Sequence, residues 1–227
     1  MLLVHGFTGS PASLRPLADH LASAGFRVEL PLLPGHGTTW QDMSRTEWPD
    51  WYAEAERAFL RLAADCSQVF VLGLSMGGSL ALRLAERRPV AGVVLVNPSV
   101  GSRDPAMLAV PLLSRFVASI PAIGDDIAKP GVTEHAYTRT PLRAVVSMTS
   151  LWRDVRSHLG RVTAPLLLIR SVTDHVVDPS SAVAILSSVS SAERTEHLLH
   201  RSFHVATLDY DADEIASLTE AFVRGHS

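Results

Sequence analysis

The sequence predicts an α/β fold: a mostly parallel central sheet with helices on both faces. Short apolar runs alternate with segments of helical period along the chain, the pattern of buried strands joined by crossover helices. The length of 227 residues suits one domain with a full core, and 47% hydrophobic with 19% charged residues is a globular composition. A formal net charge of −3 offers no basic field for nucleic acid and no polybasic patch for an anionic membrane. The single cysteine, Cys66, has no internal disulfide partner and reads as a small buried hydrophobe. No apolar run reaches the roughly 18 residues that span a bilayer, and Met1-Leu2-Leu3-Val4 lacks the charged start of a signal peptide. These features lead us to expect a cytoplasmic protein with no nucleic-acid partner and no obligate protein partner.

Taken in order, Leu2–Val4 is a core strand that begins abruptly, so further sequence before it is expected in the natural protein. Ser13–Ala24 is the first helix and Arg27–Leu30 the next strand. Pro49–Ala64 is a helix whose proline suits a first turn. Val69–Leu72 is a strand that breaks into the helix Met76–Arg87, and Gly92–Val96 is another strand. The rhythm then stops. From about residue 100 to 161 there are many apolar residues but no clear β run, and Pro105, Pro111, Pro121, Pro130 and Pro141 cut the segment into short helical pieces. Within a single domain spanning residues 1–227, this insertion reads as a lid; the alternative is a helical layer that only packs. Leu166–Arg170 and Thr195–Leu199 are the remaining strands, and Ser180–Ser188 and Ala212–Arg224 the remaining helices. Asp209 or Asp211 is placed to cap the last helix.

The chemistry centres on Gly73-Leu74-Ser75-Met76-Gly77, which sits between a strand and a helix. Such a turn holds one serine in a strained pose, with its Oγ outward and the following N–H free for an oxyanion. A serine hydroxyl is a weak nucleophile, so Ser75 requires a general base, and the base requires an orienting acid. In strand–elbow–helix enzymes these follow in the order serine, acid, histidine. Asp174 lies just past the strand Leu166–Arg170 and is preferred over Asp178, which precedes Pro179 and suits a helix cap. Of ten histidines, His204 lies on the loop between the last strand and last helix and is preferred over His200. The second oxyanion donor is expected on His5-Gly6-Phe7-Thr8-Gly9, pairing the Phe7 N–H with that of Met76. His5 is read as a brace for that loop, and Pro34-Gly35-His36-Gly37 as a turn with a structural histidine. No metal-ligand spacing is present, and the chemistry needs no cofactor.

Four motifs together carry a family likeness: His5-Gly6-Phe7-Thr8-Gly9, Gly73-Leu74-Ser75-Met76-Gly77-Gly78, Asp174-His175-Val176-Val177 and His204-Val205-Ala206-Thr207-Leu208-Asp209. In this order over essentially the whole chain, they resemble the small bacterial carboxylesterases and monoacylglycerol lipases of the α/β-hydrolase fold, the latter more closely. The resemblance implies Ser75, Asp174 and His204 as triad with Phe7 and Met76 as oxyanion donors. It implies a small helical cap, inserted after the sixth strand, over an acyl tunnel. Within the cap it gives Glu134 as the residue that reads a glycerol head and Ile123 as a lining of the substrate passage. From the residues alone, Glu134 is a solvated surface charge. Relatives carry a further segment before the first strand seen here, so N-terminal edge strands are expected to be missing.

The expected function is therefore hydrolysis of medium-to-long-chain carboxylic esters, foremost monoacylglycerols, through an acyl-enzyme. Transient contact of the cap with a lipid surface goes with it. The rivals are a short-chain carboxylesterase or thioesterase, and a non-catalytic receptor built on the same pocket. Dehalogenases and epoxide hydrolases of this fold place Asp at the elbow, which Ser75 disfavours.

Overall fold

The computed structural model describes residues 1–122 and 124–227. Strand β1 (Leu2–Val4) leads to helices α1 (Arg15–Ser23), α2 (Trp40–Met43) and α3 (Trp48–Asp65). Strand β2 (Phe70–Leu74) turns into α4 (Met76–Ala85), and β3 (Gly92–Val96) follows. Next come α5 (Val110–Leu113), the short strands β4 (Ser119–Pro121) and β5 (Arg139–Pro141), and α6 (Leu142–Arg156). The chain continues through β6 (Leu166–Ser171), α7 (Ser180–Ser188), β7 (Arg194–Leu199) and α8 (Ala212–Gly225). The main sheet has the order β1-β2-β3-β6-β7, and every neighbouring pair is parallel. This is the α/β-hydrolase fold.

Alternation along the strands builds two cores. Leu2, Val4, Val71, Val93, Leu95, Leu166 and Leu168 pack beneath α3, α4, α6 and α7. Leu3, Leu72, Val94, Val96, Leu167 and Ile169 face α1 and α8. Each such side chain contributes about 1.5–3 kcal/mol by leaving water, so the central strands are fixed in register by both faces at once. At the start of α3, the Glu47 N–H donates to the Asp50 carboxylate at 2.9 Å, and Pro49 occupies the first turn.

Two expectations about strands are corrected. Arg27–Leu30 forms no strand; one parallel bridge, Leu2 to Glu29, joins it to the edge of β1, with Leu3 N–H on Glu29 O at 2.9 Å. With only the three residues of β1 beside it, that segment has too short a ladder to propagate. Conversely, the insertion does contain β structure. Strands β4 and β5 form an antiparallel ribbon pairing Ser119 with Pro141, Ile120 with Thr140 and Pro121 with Arg139. A proline in each strand hides the signal, because proline reads as a breaker yet is tolerated in a two-stranded edge. The Arg139 guanidinium replaces missing backbone donors, reaching Ser119 Oγ at 2.7 Å and Ser119 O at 2.9 Å.

Counted along this chain, the insertion follows β3, the third strand rather than the sixth. Its last element, α6, lies on α3 and α4 and sends Ala144, Leu151 and Val155 into the core. Its outer part exposes Leu108 and Phe116 at 87% and 82%. No helix among the described residues is long and apolar enough to cross a membrane.

Candidate active site

Ser75 occupies the one-residue turn between β2 and α4 with φ +56° and ψ −120°, a conformation that costs a non-glycine residue about 1–3 kcal/mol. The surroundings impose it. The Ser75 N–H donates to Val96 O at 3.0 Å, and its carbonyl accepts from Gly78 N at 2.9 Å and Ser99 N at 3.1 Å. The flanking glycines are sterically required: a Cβ on Gly73 would run into the Gly77 carbonyl, and one on Gly77 into the carbonyls of Val4 and His5. Thus the motif packs the elbow against the end of β1, which brings the His5–Gly9 loop alongside. A Cβ added at Gly6 would stand 3.3 Å from Ser75 Cβ.

The loops after β6 and β7 meet at the same sheet edge. His204 Nδ1 lies 2.9 Å from Asp174 Oδ2, and both side chains are buried to over nine-tenths. Asp174 Oδ1 accepts from the backbone N–H groups of Val176 and Val177, each at 2.8 Å. Burial would push the Asp174 carboxyl up. The hydrogen bond and charge of His204, with the two N–H groups, outweigh that and hold it below the ordinary aspartate value. Asp178, the alternative acid, accepts instead from Ser180 N at 2.8 Å in the first turn of α7. His200 is exposed on the outer side of its turn.

His5 sits where a brace must. It is fully buried, its Nδ1 lies 3.0 Å from Gly6 O, and its Nε2 accepts from Leu33 N at 3.2 Å. Burial, then its neighbour His36, lowers its pKa to about 3, so it is a neutral donor–acceptor at neutral pH. The rings of His5 and His36 meet edge to face at 5.0 Å.

Ser75, Phe7, Asp174, His204 and Glu134 all line one cavity of about 650 Å³. Its apolar wall is made by Met107, Val110, Leu142, Val145, Met148 and Trp152. Glu134 is half-buried there rather than solvated, and a Cβ on Gly9 would lie 3.3 Å from its Oε2. Burial pushes its carboxyl up; the charge of His204 opposes this and that of Asp125 adds to it. Ile123 lies outside the described residues. Cys66 ends α3 and is only partly buried against the core.

Two residues that the sequence left unmarked, Asn97 and Asp126, and one it assigned to another role, Asp209, hold the loop that carries His204. Asn97, at the end of β3 with φ +44°, donates to His204 O at 2.7 Å and accepts from Ser171 N at 2.7 Å. Asp126 and Asp209 supply carboxylates to the same loop. Asp211 stands at the N-cap position of α8 but makes no side-chain capping bond, and Asp209 does not cap the helix. Asp209 accepts from Phe203 N at 2.9 Å, Ala128 N at 2.7 Å and Lys129 N at 3.0 Å, and Asp211 from Arg201 N at 3.0 Å. A local pattern of aspartates before a helix cannot reveal that the donors come from distant loops. Away from the cavity, Glu86, Asp154 and His158 come within metal-ligand reach of one another, but the Arg83 guanidinium already sits between the two carboxylates at 2.9 and 2.8 Å.

The family model described as serine aminopeptidase, S33, matches residues 1–211. A thermostable monoacylglycerol lipase of Bacillus sp. (strain H-257) is 42% identical, over 100% of this chain and 91% of its own. A structure of the metagenome-derived lipolytic enzymes LipS and LipT superposes with TM-score 0.96 and 38% identity, covering 99% of this chain and 93% of its own. The monoacylglycerol lipase of Paleococcus ferrophilus shares the fold at TM-score 0.84 and 19% identity, over 100% and 94% of the two chains.

Proposed function

We propose, for a chain that belongs to the serine aminopeptidase S33 family and is a carboxylic ester hydrolase of the α/β-hydrolase fold, that its substrates are monoacylglycerols of medium-to-long acyl chain, released as fatty acid and glycerol. The observation that carries this reading is the hydrogen-bonded Asp174–His204 pair on the same cavity as the strained Ser75, beneath an apolar wall.

In this mechanism His204 takes the Ser75 proton as Oγ attacks the ester carbonyl. The N–H groups of Phe7 and Met76 receive the oxyanion, each worth about 3 kcal/mol by the usual cost of losing such a donor. Asp174 fixes the His204 tautomer and supports the imidazolium; His204 then protonates the departing glycerol oxygen. Water, activated by the same base, attacks the acyl-enzyme and frees the fatty acid. The wall from Met107 to Trp152 suits an acyl chain, since each buried methylene contributes about 0.8 kcal/mol. Glu134 is placed to read the glycerol hydroxyls beside Gly9. The exposed Leu108 and Phe116 on the same insertion suit brief contact with a lipid surface.

A panel of monoacylglycerols, p-nitrophenyl esters of rising length and aminoacyl p-nitroanilides tests the reading. Glycerides should be cleaved, and esterase activity should rise toward medium and long chains. A maximum at acetyl or butyryl with glycerides ignored establishes a short-chain esterase instead, and anilide cleavage a peptidase. An organophosphonate that leaves Ser75 of the folded protein unlabelled would favour a receptor.

A further inference from the structure

The base loop is held from two directions. From the sheet, Asn97 Nδ2 donates to the His204 carbonyl at 2.7 Å and Ser171 Oγ to the Phe203 carbonyl at 2.7 Å. These contacts fix the carbonyl side only. The N–H side is met by carboxylates: Phe203 N donates to Asp209 at 2.9 Å, and His204 N to Asp126 Oδ2 at 3.1 Å. Asp209 belongs to the base loop's own segment, whereas Asp126 comes from the insertion.

Asp126 does more than meet one donor. Its Oδ2 also accepts from the His175 backbone N–H at 3.2 Å, and its Oδ1 lies 2.8 Å from His175 Nδ1. His175 directly follows Asp174, so one side chain ties the acid loop to the base loop. The Asp126 backbone carbonyl adds a bond from Val205 N at 3.0 Å. In return, Asp209 holds Ala128 N and Lys129 N, so the insertion and the base loop exchange carboxylates. The Asp126 side chain is only 12% exposed, and in such a site each charge-assisted bond is stronger than at a free surface.

We infer that Asp126 is a positioning residue for catalysis: the insertion sets the pose of His204 against Asp174 as well as covering the substrate. The inference rests on the triad reading. A shift of the His204 ring by about an ångström would misplace the base relative to Ser75 across the cavity they share, and misplacement on that scale costs about 10²-fold in rate. Asparagine at this position keeps an oxygen for the two backbone N–H groups and offers its amide to His175 Nδ1. Alanine keeps neither.

The experiment compares Asp126→Asn and Asp126→Ala in the full chain on a monoacylglycerol and on a p-nitrophenyl ester. Asp126→Ala should lose about 10- to 100-fold in kcat on both substrates, with KM little changed. Phosphonate labelling of Ser75 should slow by the same factor. Asp126→Asn should restore most of the rate. The downfield proton resonance of the His204 Nδ1–H should persist in Asp126→Asn and broaden or vanish in Asp126→Ala. If Asp126→Ala does not purify folded, Asp126→Ser, which keeps a polar group but loses the reach, is read in its place. Wild-type kcat in Asp126→Ala overturns the inference. So does a KM rise confined to the glyceride, which would make Asp126 a headgroup ligand, and so does an Asp126→Asn as slow as Asp126→Ala. A wild-type protein whose Ser75 resists the phosphonate overturns the triad reading itself, which separates the two failures.

Discussion

At Asp174 three donors converge on one carboxylate, and its depressed pKa follows from their sum winning over burial. The carboxylate stays ionised through neutral pH and is lost only as pH falls through its lowered value, below the ordinary aspartate range near 4. Asp174→Asn should therefore leave the fold and KM nearly intact and lower kcat by about 10⁴-fold, the cost of the same change in a serine protease triad. Steady-state kinetics with a thermal melt check both halves. Glu134 belongs to the same scale, with a proposed role in binding rather than in the chemical step. Glu134→Ala should raise KM for a monoacylglycerol and leave a p-nitrophenyl ester unaffected, since only the former carries glycerol hydroxyls for this carboxylate to bind; equal effects on both would remove its headgroup role.

At the scale of elements, the chain divides into parts the sequence states openly and parts it conceals. Strands β2, β3 and β6 were legible because they are buried on both faces, so period and apolarity agree. Ser75 and Asp174 could be picked out because each sits just beyond such a strand, and His204 because it lies between the last strand and the last helix, although β7 itself is mostly exposed. Asn97 and Asp126 were not, and Asp209 was given the wrong role, since their side chains reach partners 74 to 107 residues away for Asn97, 78 for Asp126 and as far as 81 for Asp209. A polar side chain carries no periodic mark of a distant backbone donor. The proline-bearing ribbon β4–β5 was hidden for the converse reason, a local signal pointing the wrong way. The apolar tip of the insertion gives a prediction of its own. The paired substitution Leu108→Asp and Phe116→Asp should lower sedimentation with neutral lipid vesicles and leave the rate on a dissolved short ester unchanged. Undiminished vesicle binding would remove the lipid-contact role from this tip.

Across the whole molecule, buried groups outside the proposed triad also contribute to acid stability. Burial lowers His5 to about 3 and His36 to about 4, from 6.5 when unfolded. Between about pH 4.5 and 5.5 the unfolded chain thus binds nearly two more protons at these sites, falling to about one at pH 6.5, and stability rises with pH. Glu86 runs the other way: burial, only partly offset by Arg83, pushes it up to about 7 from 4.5, so the folded state holds the extra proton there. The net slope from these three groups is about one proton, or about 1.4 kcal/mol per pH unit. Glu86→Gln should steepen it toward two. Denaturant melts at pH 5 and 6 measure the difference, and an unchanged slope would show that Glu86 keeps its ordinary pKa.

The sheet order has a consequence for how this protein is made. Of the proposed catalytic set, Ser75 comes from the turn after β2, Asp126 from the insertion, Asp174 from the loop after β6, and His204 from the loop after β7, which forms one edge of the sheet. A chain growing from its N-terminus therefore makes its nucleophile first and its base last. Until β7 joins β6, the carboxylate of Asp126 has only the His175 loop to hold, and Ser75 has no histidine beside it on the cavity. Hydrolysis is a property the nascent polypeptide acquires late, when the edge of the sheet closes.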